Sequence, residues 1–122
     1  MWRIEYDPGE RRLKLSMRET VFGRDMRDLA RAHARALEAT AGEPFKIFLD
    51  LRGLHPLDAE AAKVLGDMKR VAARVPGYEG RVVLVDSPTI AMQQRNSTVE
   101  DGGDATELIT LEESAAQEFL RS

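Results

Sequence analysis

Two histidines and a handful of aspartates are the residues of this chain best suited to chemistry. Asp50 closes the apolar run Phe45-Lys46-Ile47-Phe48-Leu49, and His55 and Asp58 follow it closely. One imidazole and two carboxylates could hold a metal, but their spacing matches no metal-binding motif. A solvated loop histidine is the simpler reading of His55. His33 falls on the apolar stripe of a predicted helix, and no carboxylate or second histidine converges on it in sequence. That is the setting of a structural imidazole. Asp58 and Asp86 each precede a predicted helix and read as N-caps, each worth about 1 kcal/mol. Ser16, Ser87, Ser97, Ser114 and Ser122 lie in no nucleophile elbow. Gly102-Gly103 does not link a strand to a helix as a phosphate-binding loop does. With no cysteine in the chain, disulfides, thiolate metal sites and cysteine nucleophiles are excluded. The expectation is a chain without catalytic residues, metal or cofactor.

The composition sets the class. Over 122 residues, 43% are hydrophobic and 32% charged, enough to bury one core and too apolar for wholesale disorder. The net charge of -3 gives no global reason to bind nucleic acid. Arg11-Arg12 and the Arg27, Arg31, Arg35 face lack interleaved aromatics and read as solvated. No apolar run approaches the length of a membrane span. Met1-Trp2-Arg3-Ile4-Glu5 lacks the apolar core of a signal peptide, so the expected location is the cytoplasm.

The elements that must position these residues follow from periodicity. Trp2, Ile4 and Tyr6 alternate with Arg3 and Glu5, and Leu13, Leu15 and Met17 alternate with Lys14 and Ser16. Asp7-Pro8-Gly9-Glu10 between them is a turn signal, with Gly9 taking positive φ. This predicts an antiparallel hairpin, Trp2–Tyr6 with Arg12–Met17. A helix is predicted from an Asp25 N-cap to Thr40, with Met26, Leu29, Ala30, His33, Leu37 and Thr40 inward, ending at Gly42 and Pro44. Phe45–Leu51 reads as a central strand. The next helix carries an inward stripe of Ala61, Val64, Leu65, Met68, Val71, Ala72 and Val75, with Lys63, Asp67, Arg70 and Arg74 wet. Arg81–Val85 is a second buried strand, Thr89 to Arg95 a short helix, and Asn96 to Ala105 a loop. Gln93-Gln94-Arg95-Asn96 reads as polar and exposed. Glu107–Leu111 is a last strand and Glu112–Leu120 a last helix. The order ββαβαβαβα predicts a single α/β domain over residues 1–122, with a mixed, mostly parallel sheet.

This order, with the loop after Asp50, resembles the anti-sigma-factor antagonist family, the STAS domain. There a strand of the type VVLDLSGV runs into a loop and a helix beginning Asp-Ser-Ser-Gly. Ile47-Phe48-Leu49-Asp50-Leu51-Arg52-Gly53-Leu54 is similar to that strand and loop. Leu57-Asp58 matches the approach to the helix, and Lys63-Val64-Leu65 the turn after it. The resemblance covers about twenty positions as motif and nearly the whole chain as topology. It implies a STAS-like fold and a non-enzymatic regulatory domain. It also implies docking of a protein partner, an anti-sigma factor or kinase-like regulator, through Leu57, Asp58, Ala59, Glu60 and Lys63. The family's phosphorylated serine falls on Ala59, which has no hydroxyl; Glu60 and Ala61 replace the Ser-Gly that follows. Glu60 sets a fixed negative charge in the first helical turn, where it either imitates a modified state or simply favours the helix start.

Other readings follow from the same residues. An aspartate at the end of a central strand also suggests a phosphorylatable receiver domain, but receivers open βα with paired acids after the first strand, and this chain opens with a hairpin. Leu111–Leu120 resembles the last helix of uncharacterised relatives grouped with STAS and with lipid-binding CRAL-TRIO proteins. The alternative function is therefore a small apolar-ligand or lipid-binding protein of the same topology, which needs a cavity between sheet and helices. The exposed edge of the hairpin would allow a homodimer.

Overall fold

The structure is a computed structural model that describes residues 1–100 and 105–122, with residues 98–100 described by their backbone alone. Among the described residues, nine elements run in the expected order: β1 (Trp2–Asp7), β2 (Arg12–Met17), α1 (Gly23–Ala39), β3 (Phe45–Asp50), α2 (Ala59–Ala73), β4 (Tyr78–Leu84), α3 (Pro88–Glu100), β5 (Glu107–Thr110) and α4 (Glu113–Arg121). The five strands form one sheet in sequence order. β1 and β2 are antiparallel, and every later pair is parallel. The chain is thus α/β with a mixed sheet. Among the described residues, no helix is long and apolar enough to cross a membrane.

The sheet separates two unequal layers. Leu15, Leu49 and Val83 point to the side of α1, α2 and α3, where they pack with Met26, Leu29, Leu65, Met68 and Ile90. Phe45, Ile47, Leu13 and Leu37 continue that layer toward the other end of the strands. On the opposite face Val82 and Leu84 meet Ala116 and Leu120 of α4, with Phe48 and Phe119 at the margin. β3 accordingly alternates between fully and partly buried positions, because α4 covers the second face incompletely. Lys46 anchors α4 there: its ammonium donates to the Phe119 carbonyl at 3.0 Å and sits 5.5 Å from the Phe119 ring centre. A cation at a helix C-terminus is favoured by the helix dipole.

Several local expectations shift. The hairpin turn is capped by Asp7, whose carboxylate accepts from the N–H groups of Gly9 and Glu10 at 3.0 and 3.1 Å. Positive φ falls on Arg11 (54°), not on Gly9. α1 starts at Gly23, with Phe22 in the cap position. Asp25 lies inside the first turn and accepts from the Phe22 N–H at 3.0 Å, the reach-back half of a capping box. Val71 is exposed, because the buried stripe of α2 runs through Ala61, Leu65, Met68 and Ala72 instead. α3 continues past Arg95 to Glu100, so the expected loop does not begin at Asn96. Residues 101–104 of that predicted loop lie outside the described residues. Pro76-Gly77 ends the α2 segment as expected. Gly77 has φ of 96°, and a β-carbon there would stand 2.2 Å from the Glu43 carbonyl oxygen, so only glycine fits.

Candidate functional site

The loop after β3 is held by ties that the side chains of its own ends supply. Asp50 accepts from Arg52 three times: from its backbone N–H at 3.1 Å, from Nε at 3.0 Å and from Nη2 at 2.8 Å. Burial alone would raise the Asp50 pKa, but the Arg52 hydrogen bonds and charge outweigh it and hold the carboxyl below its ordinary value. Gly53 turns the chain with φ of 78°, a conformation that glycine adopts without strain. Its N–H donates to the Asp86 carboxylate at 2.9 Å. Asp86 is therefore a strut between the β4 and β3 loops. It does not cap α3; Ser87 takes that place, with its hydroxyl 3.5 Å from the Ile90 N–H. Glu19 meets the loop from the other side through a short parallel bridge to Leu54. His55 is exposed, and its Nδ1 is hydrogen-bonded to the Thr20 hydroxyl at 3.0 Å.

The five residues implied by the resemblance divide into two kinds. Leu57 is buried, and its backbone is clamped by Gln93: the Leu57 N–H donates to Oε1 at 3.2 Å, and Nε2 donates to the Leu57 carbonyl at 2.9 Å. Asp58 is the N-cap of α2, as expected, accepting from the Ala61 N–H at 2.8 Å. These two build the helix start. Ala59, Glu60 and Lys63 are exposed on it. Glu60 leans toward α1, 3.7 Å from the Arg27 guanidinium, in the space that a side chain at Gly23 would occupy. Its charge therefore serves the first turn of α2, the first turn of α1 and Arg27 together. Lys63 lies 3.4 Å from Asp67, one turn on.

Ala59 and Lys63 open onto a groove of about 760 Å³ between α2 and α3. Ala62 and Gly66 keep its lining low on α2, and Arg70 stands further along the same helix. Thr89, Met92 and Asn96 face them from α3. Met92 is 61% exposed, an apolar side chain left in the open beside an otherwise polar wall.

Beneath this groove lies a charged cluster that the sequence reading missed. Lys69 of α2, Arg81 of β4 and Gln94 of α3 are all buried. The Glu107 side chain of β5 accepts from Arg81 Nε at 2.7 Å and pairs with Lys69 Nζ at 3.2 Å. Lys69 also donates to Gln94 Oε1 at 2.6 Å. The expected exposure of Gln93 and Gln94 therefore fails for both. Gln93 is half-buried against Leu57, and Gln94 is in the core. The signal was present: Lys69 continues the stripe through Leu65 and Ala72, and Gln94 continues the one through Ile90. His33 lies beside Lys69 and Arg81, buried as expected. Desolvation and the nearby Arg81 charge lower its pKa to about 4, so it is neutral at pH 7. The free space at this spot is about 10 Å³, room for a single water at most.

Among the described residues, no group of three or more His, Cys, Asp or Glu is placed to hold a metal. Chemically, then, the loop is a set of satisfied hydrogen bonds, and the groove is the open surface it presents. No protein-family model and no curated protein matches the sequence.

Proposed function

We propose that this chain is a regulatory protein-interaction domain of STAS-like type that binds a protein partner in the groove between α2 and α3. The observation that carries this reading is the position of that groove. It opens at Ala59 and Lys63, the turn at which the resembled family places its regulated contact, and it holds an exposed Met92. Apolar side chains in a concave, polar-rimmed setting are the usual anchors of such contacts. Ala59 supplies no acceptor for a phosphoryl group, so binding here is constitutive. The partner class follows from the resemblance: an anti-sigma factor or kinase-like regulator. The small free space beside His33 does not favour the apolar-ligand alternative.

Site-specific photocrosslinking in the native cell tests the proposal. A photoreactive residue replaces Lys63 or Met92, with Glu118 on α4 as the control on the other face. The expected result is an adduct with a regulator of the kinase or anti-sigma class from positions 63 and 92 and none from 118. Equal adducts from all three positions, or adducts lacking any such regulator, would overturn it.

A further inference from the structure

We infer that β1 is a self-complementary edge through which two copies of this chain join their sheets. Among the described residues, β1 is bonded to β2 on one side only, over six residues with an unbroken register and no proline. Met1 and Arg18 exchange backbone hydrogen bonds of 3.2 and 2.9 Å. In an antiparallel ladder such pairs alternate. Arg3–Ser16, Glu5–Lys14 and Asp7–Arg12 therefore face β2 with their N–H and C=O groups. The N–H and C=O groups of Trp2, Ile4 and Tyr6 point to the open edge.

The sequence of β1 is symmetric in kind about Ile4. Aromatic residues stand two places away on each side, at Trp2 and Tyr6, and opposite charges stand one place away, at Arg3 and Glu5. A two-fold axis through Ile4 thus sets Ile4 across from its copy and Trp2 across from Tyr6. Each of these pairs uses the outward groups and exchanges two hydrogen bonds. Arg3 then lies across from Glu5 at the two closer, non-hydrogen-bonded positions, where opposite charges attract most. Sliding the pairing by two residues sets Arg3 against Arg3 in one direction and Glu5 against Glu5 in the other. Charge therefore selects one register as well as the partner. In the single chain Arg3 and Glu5 are a loose, exposed pair 3.7 Å apart, and both are free to turn to a neighbour.

The layer above the edge leaves room for the second copy. Beside β1, a groove of about 540 Å³ is lined by Ile4, Glu5, Tyr6 and Pro8 and, on α1, by the small side chains Ala32, Ala36 and Ala39 with Arg35 among them. Trp2, Ile4 and Tyr6 are only half-buried there. Pairing about the two-fold would cover their remaining apolar surface. Edge strands are commonly blunted by charged side chains, which repel a copy of themselves when they are of one kind, such as lysine. This one carries both signs, spaced so that a copy of itself neutralises them. It lies at the opposite end of the sheet from β5, so it is independent of the α2–α3 groove.

Sedimentation equilibrium over a range of protein concentrations tests the inference with charge-reversed chains. The unaltered chain is expected to dimerise. Arg3→Glu and Glu5→Arg each set like charges across both symmetric positions, and each is expected to weaken the dimer on the order of tenfold to a hundredfold. The chain carrying both changes restores opposite charges and recovers the dimer. An equal mixture of the two single variants forms a mixed dimer that neither forms alone. Both positions are exposed, and circular dichroism checks that every variant is folded. A chain that stays monomeric at hundreds of micromolar, single variants that dimerise like the parent, or a double variant without recovery would each overturn the inference.

Discussion

Two clusters of the same chemistry lie in very different surroundings. At the surface, Arg52 meets Asp50 and Glu113; in the interior, Arg81 and Lys69 meet Glu107. The Arg52 and Asp50 side chains are 44% and 26% exposed, whereas Arg81 and Glu107 are each 3% exposed. Water screens the first pair, so its contribution is small whatever its geometry. The second group has exchanged hydration for protein partners, and removing one partner leaves the others in a poor solvent. Their places in the fold differ as well. The surface cluster orders one loop. The buried one joins α2, α3, β4 and β5 from below and so fixes the two walls of the groove. In this chain the charges that order the groove lie under it.

The strongest test of the contrast is Glu107→Gln. The amide keeps the shape of the side chain but removes the carboxylate that Arg81 and Lys69 share. The expected loss is about 3–5 kcal/mol in denaturant unfolding, the range for breaking a buried ion pair. A loss within a few tenths of a kcal/mol would show that this cluster behaves like a surface pair.

The next effect is a pH dependence. His33 titrates at about 4 in the folded chain, below the roughly 6.5 of an unfolded histidine. A depressed histidine favours the folded state fully above the unfolded pKa. That contribution is lost as pH falls from about 6.5 to about 4, at up to roughly 1.4 kcal/mol per pH unit and about 3 kcal/mol in all. His33→Leu removes the ionisable group, so its stability should vary much less across that window. Equal slopes for both proteins between pH 7 and pH 4.5 would move the acid sensitivity to another group. Asp50, also depressed, loses its contribution in the same direction but below the ordinary carboxylate range.

The legible parts of the fold are those in which neighbouring residues set the structure. The hairpin, β3 and the start of α2 follow from alternation, from Pro and Gly, and from the Asp58 cap, all within a few residues. Asp58→Ala should accordingly cost about 1 kcal/mol in a thermal melt, since one α2 N–H loses its acceptor. An unchanged melting temperature would mean that another group takes over the cap. The illegible parts depend on distant partners. Asp86 has the local sequence of a helix cap, but Gly53 across the loop claims its carboxylate. Lys69 lies on the stripe through Leu65 and Ala72, but its charge reads as wet until its partner is known, and that partner, Glu107, belongs to a strand far along the chain. Of the candidate site, the exposed turn at Ala59, Glu60 and Lys63 could be located by resemblance. The opposing wall from α3 could not, because it depends on how Gln93 clamps Leu57.

The smallest expected effect completes the comparison. Arg52→Ala removes a guanidinium with two carboxylate partners, as Glu107→Gln removes a carboxylate with two cationic ones. Geometry alone would rank the two alike, because Arg52 binds Asp50 through two nitrogens at 3.0 and 2.8 Å. Burial ranks them far apart. The freed Asp50 carboxylate keeps the Arg52 backbone N–H and gains water, so the cost should stay below about 1 kcal/mol and shrink further in added salt. Asp50 should also titrate closer to its ordinary range, because the side-chain hydrogen bonds that lower its pKa are gone. Carbon-detected NMR titration of the Asp50 carboxyl, together with denaturant melts at low and high salt, reads both quantities. A salt-independent loss as large as that of Glu107→Gln would mean that the loop, and not the buried cluster, sets the geometry of the groove.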